Sequence, residues 1–138
     1  MHIVLGIENV YLSQYSGFLD RSSDSTIFHT IEMQHSFSLD PLCKPEIAIC
    51  IDQDEIVGAL TWVVRKEYSG LFGPLTARSI SWGGPLIPSQ DRRVLSKLLD
   101  TYIEAVKSVT IFSEFRNLFE LSWACQSLRD MVSTASHI

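Results

Sequence analysis

The sequence has no C-x-x-C pair, no block of lysine and arginine, and no apolar run long enough to cross a bilayer. Each absence removes a class. Cys43, Cys50 and Cys125 are odd in number and form no C-x-x-C, which suits neither a disulfide framework nor a zinc site. The four histidines offer no i,i+3 or i,i+4 ligand pair; His29 and His35 are six apart. Without a basic cluster, duplex nucleic acid is not expected as a partner. The longest apolar stretch, Ile56 to Val64, falls well short of the ~20 residues of a membrane span. The start, Met1-His2-Ile3-Val4-Leu5-Gly6-Ile7, reaches Glu8 with no cationic region and no small-residue cleavage site, so a cytoplasmic protein is expected.

What remains is 138 residues, 46% hydrophobic and 20% charged, enough for one domain with an ordinary core, here taken as residues 1–138. Net charge is −5 and unevenly spread. Residues 1–60 carry nine acidic and two basic side chains, residues 61–138 seven and nine, so the halves stand at −7 and +2.

The pattern predicts a mixed α/β (α+β) domain in the order αα-βββ-αβ, followed by a C-terminal helix. Tyr11, Tyr15, Phe18 and Leu19 fit a first helix over Glu8–Leu19. Thr30 is placed to cap a second helix reaching Phe37, and Asp40-Pro41 and Lys44-Pro45 end it. Glu46–Ile51 and Ile56–Arg65 are apolar, β-branched runs around the polar Asp52-Gln53-Asp54-Glu55, hence an antiparallel hairpin. These three acids are read as a solvated turn, and Cys50 as a small core residue. Gly58 inside the second run predicts a bulge or a close approach. A third strand is expected over Ala77–Trp82, ended by Gly83-Gly84-Pro85. The stripe Val94, Leu95, Leu98, Leu99, Tyr102, Ile103, Val106 predicts a helix over Gln90–Lys107 that covers the sheet, with a strand at Val109–Phe112 behind it. Leu121, Cys125, Leu128 and Val132 predict a tail helix over Leu118–Val132.

Three stretches, Thr26-Ile27-Phe28-His29-Thr30, Arg78-Ser79-Ile80-Ser81-Trp82-Gly83-Gly84-Pro85 and Phe112-Ser113-Glu114-Phe115-Arg116-Asn117, stand in order around the hairpin segment Glu55–Leu60. This series resembles the N-terminal half of FemAB-like proteins, the peptidoglycan interpeptide-bridge aminoacyltransferases, which are built from two GNAT-type (acetyltransferase-like) halves. The resemblance covers about residues 26–117. It implies a GNAT-like half-domain with a mixed, mostly antiparallel sheet, and transfer of an acyl or aminoacyl group to an amine such as a peptidoglycan-precursor peptide. It also implies that the chain is incomplete without a second GNAT half, either a partner or a second copy, with residues 118–138 as a departing or truncated tail. The acetyl-CoA loop [Q/R]-x-x-G-x-[G/A] is absent, so no cofactor is expected; aminoacyl-tRNA or another acyl donor follows only from the resemblance.

Arg78, Ser79, Trp82, Gly83, Gly84, Glu114, Arg116 and Asn117 are the expected substrate-binding residues, with no catalytic base and no metal assigned. Each also has a plain structural role open to it. A G-G-P triplet is commonly a turn, and a strand-end tryptophan commonly lines the core. Arg78 suits an edge strand, Glu114 and Arg116 can pair with each other, and Asn117 can cap a helix. Two other readings stay open beside the transferase: a non-catalytic interaction module, and a gene fragment of a larger transferase.

Overall fold

Two residues make the central turn of the molecule. In the computed structural model, which describes residues 1–116, 123, 129 and 130, strands β2 (Cys43–Asp52) and β3 (Glu55–Arg65) are joined by Gln53 and Asp54 alone. Both have positive φ, 49° and 63°, the signature of the hairpin turn whose twist matches its strands. The pairing runs from Asp52 and Glu55 out to Cys43 and Arg65.

Around this hairpin lie β1 (His2–Leu5), β4 (Arg78–Trp82) and β5 (Phe112–Arg116), giving the sheet order β1-β2-β3-β4-β5. All neighbours are antiparallel except β4 and β5. The helices are α1 (Leu12–Arg21), α2 (Ile31–Ser38) and α3 (Arg92–Val106). Short 3-10 turns occupy Ile7–Asn9, Ile27–His29 and Gly70–Thr76.

The mixed, mostly antiparallel α/β class is as expected, but three elements differ in position. The sheet begins with β1, which the order αα-βββ-αβ omits: four residues carry too little pattern to announce a strand, and pairing from His2–Ile51 to Leu5–Ala48 makes one of them. The first helix starts at Leu12, not Glu8, because Ile7–Asn9 closes a 3-10 turn and Tyr11 is extended. The last strand starts at Phe112, not Val109: the Val109 and Thr110 amides both donate to the Val106 carbonyl and prolong the end of α3. The expected tail helix Leu118–Val132 lies almost wholly outside the described residues.

The sheet has a core on each face. On one, α3 lays Val94, Leu95, Leu98 and Tyr102 over Ala48, Cys50, Leu60 and Trp62. On the other, Tyr15 and Phe18 of α1 and Ile31 of α2 cover Ile47, Ile49 and Ala59. α2 and α3 are capped by polar side chains: Thr30 accepts from the Met33 amide (3.2 Å) and Asp91 from the Arg93 amide (2.8 Å).

Gly58 shows both features its position suggested. The β2–β3 register shifts beside it, between Cys50 and Ile51. A Cβ at Gly58 would sit 2.6 Å from Val94 Cγ1 and 3.1 Å from Leu98 Cδ1. Gly58→Ala is therefore expected to push α3 off the sheet and cost about 1–3 kcal/mol, read as a lowered Tm in thermal unfolding.

Candidate functional site

β4 stops at Trp82, yet the chain rejoins β3 further on, where Leu86 and Ala59 exchange both backbone hydrogen bonds (2.8 and 3.0 Å). The register that pairs Val63 with Ile80 would place residue 84 opposite Ala59, so two extra residues bulge out. Gly83 (φ 88°) and Gly84 (φ 66°) form the bulge, in backbone that favours glycine.

The His29 ring fills the space beside it. A Cβ on Gly83 would lie 2.5 Å from His29 Cε1. His29 Nε2–H donates to the Gly84 carbonyl (3.1 Å), while Nδ1 accepts from the Thr26 amide (3.0 Å), so the ring is the neutral Nε2–H tautomer. The His29 carbonyl in turn accepts from the Tyr15 hydroxyl (2.6 Å). Burial holds the imidazole below the ordinary histidine range, although the bond to Gly84 pulls the other way.

Beside the bulge stands a half-buried aromatic wall. Trp82 stacks on Phe28 (centroids 5.3 Å apart, planes 18°) and on Phe37 of α2 (5.2 Å, 8°). The Arg116 guanidinium carbon is 5.9 Å from the Trp82 ring centre, and the Gly83 amide donates to the Arg116 carbonyl (2.7 Å). Arg116 Nη2 donates to both Glu114 oxygens at 3.0 Å. Arg78 lies 4.0 Å from the same carboxylate and 3.2 Å from Glu67. Two guanidiniums and two carboxylates thus balance next to an aromatic surface.

Five of the eight expected site residues meet here: Trp82, Gly83, Gly84, Glu114 and Arg116; Arg78 stands at the opposite end of β4 and is linked to them only through the Glu114 carboxylate, 4.0 Å away. Ser79 does not join them. It points to the opposite face, buried, and its hydroxyl accepts from Tyr102 (2.8 Å). Asn117 lies outside the described residues. Gly83 and Gly84 are buried against His29 and line the base of the site rather than its surface. The expected residues left out Phe28, Phe37 and Glu67. The Ile27-Phe28-His29 triplet was the available signal for the first; nothing local marked the other two. A separate cleft of about 700 Å³ between α1 and α2, lined by Ser13, Ser16, Asp20, Thr30 and Glu32 among others, shares none of the wall residues. Among the described residues no three His, Cys, Asp or Glu side chains gather as a metal site, and no helix is long and apolar enough to cross a membrane.

Because the folded His29 holds its proton more weakly than the unfolded one, its contribution is complete above about pH 6.5 and is lost as pH falls below it. Stability should drop between pH 7 and 5 with a slope of up to about 1.4 kcal/mol per pH unit. His29→Ala should cost about 2–4 kcal/mol at pH 8 and flatten that slope, as read by urea unfolding across the pH range.

No family model matches the chain, and no curated protein sequence matches it. Solved structures do resemble it. A transcriptional regulator from Bacillus halodurans C-125 superposes with a TM-score of 0.62 at 12% identity, over 94% of this chain and 90% of that one. An aminoglycoside acetyltransferase from an uncultured soil metagenomic sample, in complex with sisomicin, gives 0.58 at 12% identity, over 94% and 86%. A ribosomal-protein-alanine N-acetyltransferase from Brucella melitensis biovar Abortus 2308 gives 0.56 at 10% identity, over 96% and 90%. At these identities the likeness concerns the fold alone, one that the chain shares with a transcriptional regulator and with two acetyltransferases.

Proposed function

We propose that the chain is a FemAB-related, acyl- or aminoacyltransferase-like domain that holds an amine acceptor at the Trp82–Arg116 wall. One observation carries the reading. Stretches more than 25 residues apart in sequence, Thr26–Thr30, Arg78–Pro85 and Phe112–Arg116, converge on one double-glycine bulge and the wall beside it. The acetyltransferase-like fold supports the same general chemistry. In such a transfer the acceptor nitrogen attacks the acyl carbonyl carbon. The C–N bond forms, the bond to the donor's oxygen or sulfur breaks, and the amine proton leaves to a base or to water. No residue of this chain is assigned as that base.

The wall suits a peptide that carries both charge signs. Arg78 and Arg116 can take a carboxylate, Glu114 an ammonium, and Trp82 offers a face for either a cation or an apolar stem. A cytoplasmic peptidoglycan precursor peptide has this chemistry. A second GNAT-type half is proposed to complete the cleft.

The donor side departs from acetyl-CoA enzymes. Those place a pyrophosphate on free amides at a helix N-terminus. Here Asp91 occupies that position on α3, accepting from the Arg93 amide at 2.8 Å and pairing with its guanidinium at 2.9 Å. A carboxylate there takes the amide and repels a phosphate, so the residues between β4 and α3 do not fit that cofactor. No step is routed through it.

Titration with a precursor stem peptide, followed by NMR, should move the Trp82 indole resonance. Arg116→Ala, at an exposed position, should weaken binding by about tenfold. Acetyl-CoA should leave the spectrum unchanged. An unmoved Trp82 signal, or unaltered affinity in Arg116→Ala, would overturn the reading.

A further inference from the structure

At the other end of β4 and β5 from Trp82 and Arg116, the chain displays side chains that a solitary protein ordinarily hides. The 3-10 segment Gly70–Thr76 and the residue before its approach expose Leu71 (94%), Phe72 (69%), Leu75 (67%) and Tyr68 (65%). The start of β5 adds Ile111 (60%) and Phe112 (47%). Register puts the two groups side by side: the Ile111 amide donates to the Ala77 carbonyl at 2.8 Å, and Phe112 is paired with Arg78.

Size and charge decide what covers this surface. The six side chains expose on the order of 700 Å², taking an aromatic side chain at about 200 Å². The largest apolar patch of an ordinary monomer is about 300–600 Å². A stable two-chain contact buries about 800 Å² on each partner. The patch therefore exceeds what a monomer usually shows and approaches one half of a standard interface. The two stretches themselves, Tyr68 to Ala77 and Ser108 to Ser113, contain no Asp, Glu, Lys or Arg, and the charges at their edge, Glu67 and Arg78, neutralise each other as an ion pair at 3.2 Å. A two-fold contact brings one surface against itself, so any charge on it faces its like. This surface escapes that penalty in a chain whose net charge of −5 makes copies repel elsewhere. Trp123 packs on the α3-side core, and its carbonyl accepts from Arg92 at 3.1 Å, in the first turn of α3. The patch lies past the last turn, about 20 Å along a helix of this length.

We propose that the surface formed by Tyr68, Leu71, Phe72, Leu75, Ile111 and Phe112 joins two copies of this chain into a two-fold dimer. The proposal stands on exposure, register and charge, and it is independent of the transferase reading.

Sedimentation equilibrium of the full chain over a range of concentrations tests it, with thermal melts on the same samples. The expected result is a species of twice the chain mass. The double variant Leu71→Asp/Phe72→Asp, made at exposed positions, should keep its far-UV spectrum and weaken dimerisation by about 100-fold or more. Ile111→Asp, on the other strip, should weaken it as well. A chain that stays monomeric at every concentration would overturn the proposal. So would a dimer that these variants leave intact, or one that dissociates as salt is raised, since that marks an ionic contact made elsewhere.

Discussion

The fit of one neutral imidazole into one double-glycine bulge ties the two sides of the candidate site together. His29 belongs to the segment between α1 and α2, while Gly83 and Gly84 directly follow β4. The ring accepts a hydrogen bond from its own turn and donates one across to the strand. Neither half is stable in that form alone. Without the ring the bulge has a hole and a Gly84 carbonyl stripped of its partner; without the bulge the ring meets a strand too close to admit it. Trp82, one residue before the bulge, is held under Phe28 and Phe37 as a consequence, because Phe28 sits in the His29 turn. The aromatic wall is therefore positioned by a polar contact beneath it.

Much of this frame was legible in the residues, for reasons that can be named. The β2–β3 hairpin was readable because β-branched runs flank a short polar link. The long helix was readable because seven apolar side chains fall on one face, and both appear where expected. β1 was not readable, since four residues gain strand character only from the partner that receives them. The displaced start of β5 has a similar cause: Val109 and Ile111 look like strand residues, but the last carbonyl of α3 captures the neighbouring amides first.

The site was legible as a set but not as an arrangement. Arg78, Trp82, Glu114 and Arg116 share a face because alternate residues on paired parallel strands do so. The same alternation sends Ser79 to the other face, where it meets Tyr102. Phe37 and Glu67 come from α2 and from the chain after β3, and sequence spacing alone has no means of bringing them in. The role of the two glycines was visible only as a break; that they oppose a histidine 54 residues earlier depends on how α1 and α2 sit on the sheet.

The two-residue turn at Gln53 and Asp54 has a consequence for the order of assembly. It closes the β2–β3 hairpin at almost no chain-entropy cost, whereas β1 reaches β2 only across both N-terminal helices, and β5 reaches β4 only across α3. The central strands can thus form from local contacts, and the two outer strands add to an existing template. The His29 wedge closes late in this sequence, because it needs both the N-terminal segment and the end of β4. The site is then the keystone of the fold, set after the arch it locks is already standing.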